Sequence, residues 1–289
     1  MRLFLLIIVV MVAFAANSRL NRAALASGAM GPSSFAALRL ISGALCLALM
    51  LRARGGGGGG FSRPRFQPYG MMALSVYVLG FSFAYVSLPA GLGALILFGG
   101  VQITMFAGSV IMREPIPPRR WAGALIAFAG LCWLLWPGPG SAVHPGGAVL
   151  MTAAAAGWGV YSLIGRRAVD GLADTAGNFI YAVPLGLAAA FILPDAISAY
   201  GAVLAVISGA VTSGLGYALW YSVLPKITAG VAAVAQLSVP VIALLGGALL
   251  LGEVISAAAL GAAAVVLGGI ALSVVPLGPR QKPSNEINS

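Results

Sequence analysis

Ten apolar runs, most of them close to twenty residues long, follow one another along the 289-residue chain with short polar breaks between them. They fall at 3–24, 32–51, 68–87, 90–112, 119–136, 147–165, 175–193, 199–223, 227–251 and 254–275. A bilayer-spanning helix needs about 20 such residues. Hydrophobic residues make up 60% of the chain and charged residues 8%, whereas a soluble domain carries about 25% charge. The sequence therefore predicts an all-α polytopic membrane protein with ten transmembrane helices. Its first run, MRLFLLIIVVMVAFAA, has the layout of a secretory signal as well, but it is read here as the first span.

The breaks are GPSS at 31–34, RARGGGGGGFSRPRF at 52–66, PIPPRR at 115–120 and PGPGSAVHPGG at 137–147, then RRAVDGLAD at 166–174, PDA at 194–196 and LPK at 224–226. The six glycines at 55–60 read as a flexible linker. The break at 252–254 holds only Gly252 and Glu253 between apolar residues, so Glu253 is placed at an interface, where a carboxylate costs least.

The net charge of +10 would point to nucleic acid in a soluble chain. Here the basic residues sit between apolar runs, so the membrane surface is the partner and no nucleic acid is expected. Alternating sides from the N-terminus gathers 13 of the 16 Lys and Arg residues on one face, Arg2, Arg52, Arg54, Arg119, Arg120, Arg166 and Lys226 among them. The positive-inside rule makes that face cytoplasmic. Both termini, and a polar tail at 277–289, are then cytoplasmic in a bacterial inner membrane. Cys46 and Cys132 lie in apolar runs and the one histidine, His144, stands in a loop. No disulfide, metal site or cofactor is expected.

The chain repeats itself. GSVIMREPI at 108–116 returns as GALLLGEVI at 247–255, with Gly108/Gly247, Glu114/Glu253 and Ile116/Ile255 all 139 residues apart. Gly91/Gly230 and Gly130/Gly269 keep the same offset, and Phe14/Trp158, Ser18/Ser162, Arg22/Arg166 and Phe35/Phe179 repeat at 144. Five spans per half, at 1–138 and 139–276, make the second copy enter the membrane from the opposite side. Inverted repeats around a central cavity are a transporter architecture, because each half can swing to expose the site to its own side.

At this point the second span PSSFAALRLISGALCLAL, the fourth AGLGALILFGGVQITMFAGSVIMREPI and the ninth AGVAAVAQLSVPVIALLGGALLLGEVI carry a family likeness. The chain resembles the drug/metabolite transporter superfamily and its EamA branch of ten-helix exporters over nearly its whole length. Within that branch it is most similar to bacterial exporters of aromatic amino acids. The resemblance implies export of a small metabolite across the inner membrane, and no enzymatic activity.

Site candidates come from polar or helix-breaking residues inside the spans. Gly99 and Gly100 near the middle of span four, and Pro240 in span nine, fall at corresponding positions, where interrupted helices mark transporter sites. Gln102 and Gln236 lie within a turn of them, and an amide in hydrocarbon must find a partner. The alternative for these residues is helix-to-helix packing. Tyr77, Phe81 and Tyr85 share one face of span three; Trp158, Tyr161 and Ser162 do so in span six, and Ser213, Tyr217 and Trp220 in span eight. They line an aromatic cavity or pack the bundle, with Tyr85 and Trp220 open to an interfacial-belt reading. Arg39 lies two turns into span two, where a charge is functional by default, and it can hold a substrate carboxylate or tie helices. Asn17 and Ser18 interrupt span one.

No Asp, Glu or His falls in the middle of a span. The glutamate that small multidrug transporters of the same superfamily use in their first helix is missing here. That leaves neutral or zwitterionic metabolites, amino acids with aromatic ones preferred, moved by alternating access. Other metabolites or drugs, a channel, or a membrane-embedded enzyme are the competing readings. The chain is plausible as a monomer.

Overall fold

The computed structural model describes residues 2–55, 64–113, 116–136, 143–166, 168–223, 226–227, 235–236 and 238–274. Among these residues the protein is all-helical. Its elements are α1 (Arg2–Ala26), α2 (Pro32–Gly55), α3 (Pro68–Ala84), α4 (Ala90–Ile111), α5 (Pro118–Leu135), α6 (Pro145–Gly165), α7 (Gly171–Ile192), α8 (Ala199–Val223), α9 (Ser238–Leu251) and α10 (Ala257–Val274). All ten expected spans are thus met by a helix. Glu114 of the repeated Gly108–Glu114–Ile116 phrase lies outside the described residues, as do the linker glycines 56–60 and the tail 277–289.

Six helices are long and apolar enough to cross a bilayer: α1, α2, α4, α6, α7 and α8. α3, α9 and α10 are apolar but shorter. α5 opens on two arginines and packs along α10. The helices begin where the sequence permits it. Proline fixes φ and needs no donor at a first turn, and Pro32, Pro68, Pro118 and Pro145 open α2, α3, α5 and α6. Other first turns take a side-chain acceptor: Asp170 accepts from the Ala173 N–H at 3.1 Å, Ser198 from Gly201 at 3.0 Å, and His144 Nδ1 from Gly147 at 3.4 Å.

The fold is apolar outside and polar within, as lipid requires. Phe191, Leu249, Leu125 and Phe128 face outward, while Asn17, Asn21, Arg39, Ser208, Thr212 and Ser213 are buried. Several of the helix contacts correspond in pairs. α3 packs along α6 as α8 packs along α1, and α4 along α6 as α9 along α1. α2 meets α7, α4 meets α9 and α5 meets α10. The repeated pair Gly130 and Gly269 sits on both sides of that last contact. A Cβ at Gly130 would lie 2.9 Å from Val265 and Val266, and one at Gly269 would lie 2.5 Å from the Ala127 nitrogen.

One expected helix break is not there. α4 runs unbroken through Gly99 and Gly100. Two glycines do not break it because apolar packing on both sides outweighs their poor propensity. Pro240 is buried in α9; residues 235 and 236 before it are helical as well, and Leu237 between them lies outside the described residues.

The irregular helix is α8. Its centre, Ser208–Leu215, winds as a π-helix between two α-helical ends, Ala199–Ile207 and Gly216–Val223. The segment SGAVTSGL is rich in hydroxyls and glycine, and π turns recur at functional sites.

Candidate functional site: an arginine in an aromatic cage

The backbones of α2 and α8 come close at Gly209, where a Cβ would strike the Ser42 hydroxyl and the Arg39 carbonyl. This close approach brings Arg39 under the π segment. The guanidinium is fully buried. Its Nε donates to Ser213 Oγ at 3.1 Å and its Nη2 to the Tyr77 hydroxyl at 2.9 Å. It lies 5.1 Å from the ring centres of both Tyr77 and Phe81. Nη1 has no hydrogen-bond partner, and no carboxylate pairs with Arg39 among the described residues.

That balance decides what the site can do. A buried cation has a net penalty of several kcal/mol even after relaxation. Two hydrogen bonds from a charged donor return about 1.5–3 kcal/mol each, and a desolvated cation–π contact about 2 kcal/mol. The charge is therefore held, yet one N–H remains unsatisfied with no anion beside it. A carboxylate suits that vacancy, since a guanidinium receives it through parallel bonds.

Aromatic rings surround the arginine. Tyr77 stands against Trp158 at 4.9 Å, and Trp158 stacks on Tyr161 at 5.5 Å and meets Tyr217 at 4.9 Å. Phe14 lies edge-on to Trp158, Tyr217 and Trp220 at 6.3, 5.8 and 6.1 Å. The buried Tyr217 hydroxyl stands beside Arg39 and Tyr77 but makes no well-aligned hydrogen bond. Tyr85 and Trp220 are both buried, which removes the interfacial-belt reading for them.

A polar cluster closes one side. Asn17 Oδ1 accepts from Ser208 at 2.6 Å and Thr212 at 3.0 Å, and its amide nitrogen lies 3.4 Å from the Tyr77 hydroxyl. Asn21 donates to Ser208 at 3.3 Å and accepts from Ser82 at 3.3 Å. α1, α3 and α8 are tied together there.

Eight of the thirteen sequence candidates thus come together: Asn17, Arg39, Tyr77, Phe81, Trp158, Tyr161, Ser213 and Tyr217. The other five do not join them. A Cβ at Gly100 would lie 2.7 Å from the Ala155 Cβ, and one at Gly99 would lie 3.1 Å from Leu131 and Val266, so both glycines serve close packing of α4. Gln102 and Gln236 are half-buried and make no hydrogen bond to the Arg39 group; Pro240 is buried in α9. Sequence reasoning missed Phe14, Asn21, Ser208 and Thr212. The last pair is spaced by four, as Asn17 and Asn21 are, and that spacing was a readable signal.

At one end of the bundle, Arg22 and Glu253 make a second polar node. Arg22 Nε lies 3.2 Å from Glu253 Oε1, and its Nη1 donates to the Tyr85 and Val86 carbonyls at 3.1 and 3.0 Å. Both Glu253 oxygens accept the Ala90 N–H at the start of α4, at 3.0 and 2.8 Å, where the helix dipole favours an anion. Gly252, at φ +65°, ends α9 in the left-handed region and turns the carboxylate back onto α4. Arg54 pairs with Asp170 at the other end of α2. Among the described residues no group of three or more His, Cys, Asp or Glu side chains converges on a metal position.

An architecture of ten helices with a polar centre narrows the choice of family, and the sequence matches decide it. Residues 145–275 match the EamA-like transporter family, and an uncharacterized protein of Pseudomonas aeruginosa is 47% identical over 277 residues, 95% of both chains. The second half of the chain carries an EamA-like transporter domain. An uncharacterized transporter of Archaeoglobus fulgidus is 26% identical over 220 residues, 73% of this chain and 77% of that protein. A solved crystal structure with 20% identity has a TM-score of 0.65 and covers 94% of this chain and 96% of that one, so the fold is shared. An EamA-like transporter works in a lipid bilayer on a small-molecule substrate.

Proposed function

We propose that this EamA-like transporter exports small zwitterionic metabolites, amino acids with aromatic ones preferred, by alternating access across a bacterial inner membrane. The single observation that carries this reading is the buried, carboxylate-free guanidinium of Arg39 set among Tyr77, Phe81, Trp158 and Tyr217. An amino acid offers a carboxylate to the open Nη1 and a ring to the cage. The Tyr217 hydroxyl and the Asn17 cluster offer partners to its ammonium group. The resemblance to aromatic amino-acid exporters within the branch supports the same substrate.

The two halves, 1–138 and 139–276, are the moving parts, related by the corresponding helix contacts. Both termini are cytoplasmic on the positive-inside count, and the 277–289 tail lies with them. Catalysis has no place in this reading. The test is a flux panel in proteoliposomes with labelled tryptophan, phenylalanine, tyrosine, lysine and a quaternary ammonium drug. Saturable flux of the aromatic amino acids, lost in Arg39→Gln, is the expected result. Flux of the ammonium drug with none of the aromatic amino acids overturns the assignment.

A further inference from the structure

The phrase that repeats along the chain places Glu253, in its second copy, in a node that the substrate cage does not use. Glu253 sits on the turn 252–256 between α9 and α10, in the second half of the chain. Both of its side-chain partners, Arg22 of α1 and the Ala90 N–H of α4, lie in the first half. Gly247 makes the reach possible, since a Cβ there would strike the carboxylate where it folds back beside α9. The glycine and the glutamate of the repeated phrase thus serve one contact between the halves.

The node adjoins the cage. Ser18 and Arg22 are spaced by four on α1 and share a face. Ser18 is buried and stands beside the Tyr85 hydroxyl. The Tyr85 carbonyl receives Arg22, and its ring lies 4.7 Å from Phe81. Phe81 in turn is one of the two rings against Arg39. An unbroken run of contacts, Arg22 to Tyr85 to Phe81 to Arg39, joins the ion pair to the guanidinium that the substrate would meet.

The node is also built to come apart. The Arg22 and Glu253 side chains keep 21% and 13% of their surface exposed, and an ion pair that water reaches is held weakly. If Glu253 leaves, Arg22 still donates to the Tyr85 and Val86 carbonyls, so no charge is stranded. The turn that carries Glu253 is exposed at Gly252, Val254 and Ser256. A Cβ at Gly252 would meet nothing within 4 Å, so the backbone there can change φ and ψ without collision, as a hinge must.

We propose that the Arg22–Glu253 pair is a latch that closes the substrate cage on the face the positive-inside count makes external, and that it opens to let the substrate leave there. This rests on the transport reading above, and the experiment separates the two. In cells, with Cys46 and Cys132 replaced, Ser18→Cys should react slowly with an external impermeant thiol reagent. Adding Glu253→Gln should raise that rate about tenfold, the shift that one lost charge-assisted bond allows. Ser75→Cys, buried in α3 beyond Tyr77 from the node, reports general loosening and should keep its slow rate. An equal Ser18→Cys rate with and without Glu253→Gln overturns the proposal whether or not any substrate is carried, as does a Ser75→Cys rate that rises in step. In proteoliposomes, tethering Arg22→Cys to Glu253→Cys with a reducible bifunctional thiol reagent should bring tryptophan flux down to the level of protein-free vesicles, and reduction should restore it. Flux that the tether leaves unchanged also overturns the latch.

Discussion

Replacing Arg39 by lysine separates a binding residue from a structural tie, because it keeps the charge and removes the fork. The arginine uses Nε for Ser213 and Nη2 for Tyr77 and leaves Nη1 open. A lysine ammonium reaches one of those two oxygens. The fold then loses one charge-assisted bond of about 1.5–3 kcal/mol but also sheds a buried unsatisfied N–H that costs about 1–3 kcal/mol. Folding stability should change by less than about 1 kcal/mol, since the two terms oppose each other. Substrate binding has no such compensation. A carboxylate that meets one N–H in place of two loses about 1.5–3 kcal/mol, roughly ten- to a hundredfold in Kd. Thermal unfolding in detergent and scintillation-proximity binding of labelled tryptophan, run on the same preparation, give both quantities. A clear loss of stability with unchanged affinity would refute the binding role and leave Arg39 as a tie between α2, α3 and α8.

Asn17→Leu should lower stability by about 1–3 kcal/mol, because the Ser208 hydroxyl loses its acceptor while Thr212 keeps the Ser208 carbonyl at 2.8 Å, seen as a lower unfolding temperature. Gly100→Leu should impair folding before transport, because its side chain meets Ala155 of α6; monodisperse protein from that variant would contradict the packing account. Asp195 lies in the turn between α7 and α8. Burial pushes its carboxyl up, but the Ser33 and Ser34 donors outweigh this and hold it below its ordinary value. Its stabilisation is complete above the ordinary carboxylate range and is lost as pH falls through the lowered folded value. The unfolding-temperature gap between wild type and Asp195→Asn should therefore close under acid conditions. For topology, in a background with Cys46 and Cys132 replaced, a cysteine at the exposed Val169 should be shielded from an external impermeant thiol reagent, and one at the exposed Ile197 should react. The opposite pattern would reverse the assigned orientation.

The helices were legible because span length, proline starts and polar breaks are local properties. The repeat was legible because Gly108, Gly130 and Glu114 return at one fixed offset as Gly247, Gly269 and Glu253. Arg39 stood out for the same local reason, a charge inside an apolar run, and the four-residue spacing of Tyr77 with Phe81 put both rings on one face beneath it. What the residues did not announce was which side of each helix meets which neighbour. Gly99 and Gly100 carry the chemistry of a helix break, yet tertiary packing keeps α4 whole. Glu253 read as an interfacial acid, but its bond to Arg22 joins residues 231 positions apart. The π segment has no sequence rule of its own. Its hydroxyls were visible one by one, and only the winding made them converge.

That winding acts as a phase adjuster. In an α-helix each residue turns the chain by about 100°, so one residue more or less swings everything beyond it to another face. The wide turn at Ser208–Leu215 absorbs the equivalent of an extra residue, which keeps Ser208 and Thr212 on the asparagines while Ser213 and Tyr217 still look at Arg39. A tightening of the segment to the ordinary α winding would leave the helix intact at both ends and rotate one half of the site relative to the other. A change of winding over these eight residues would turn one end of α8 against the other about an unmoved axis.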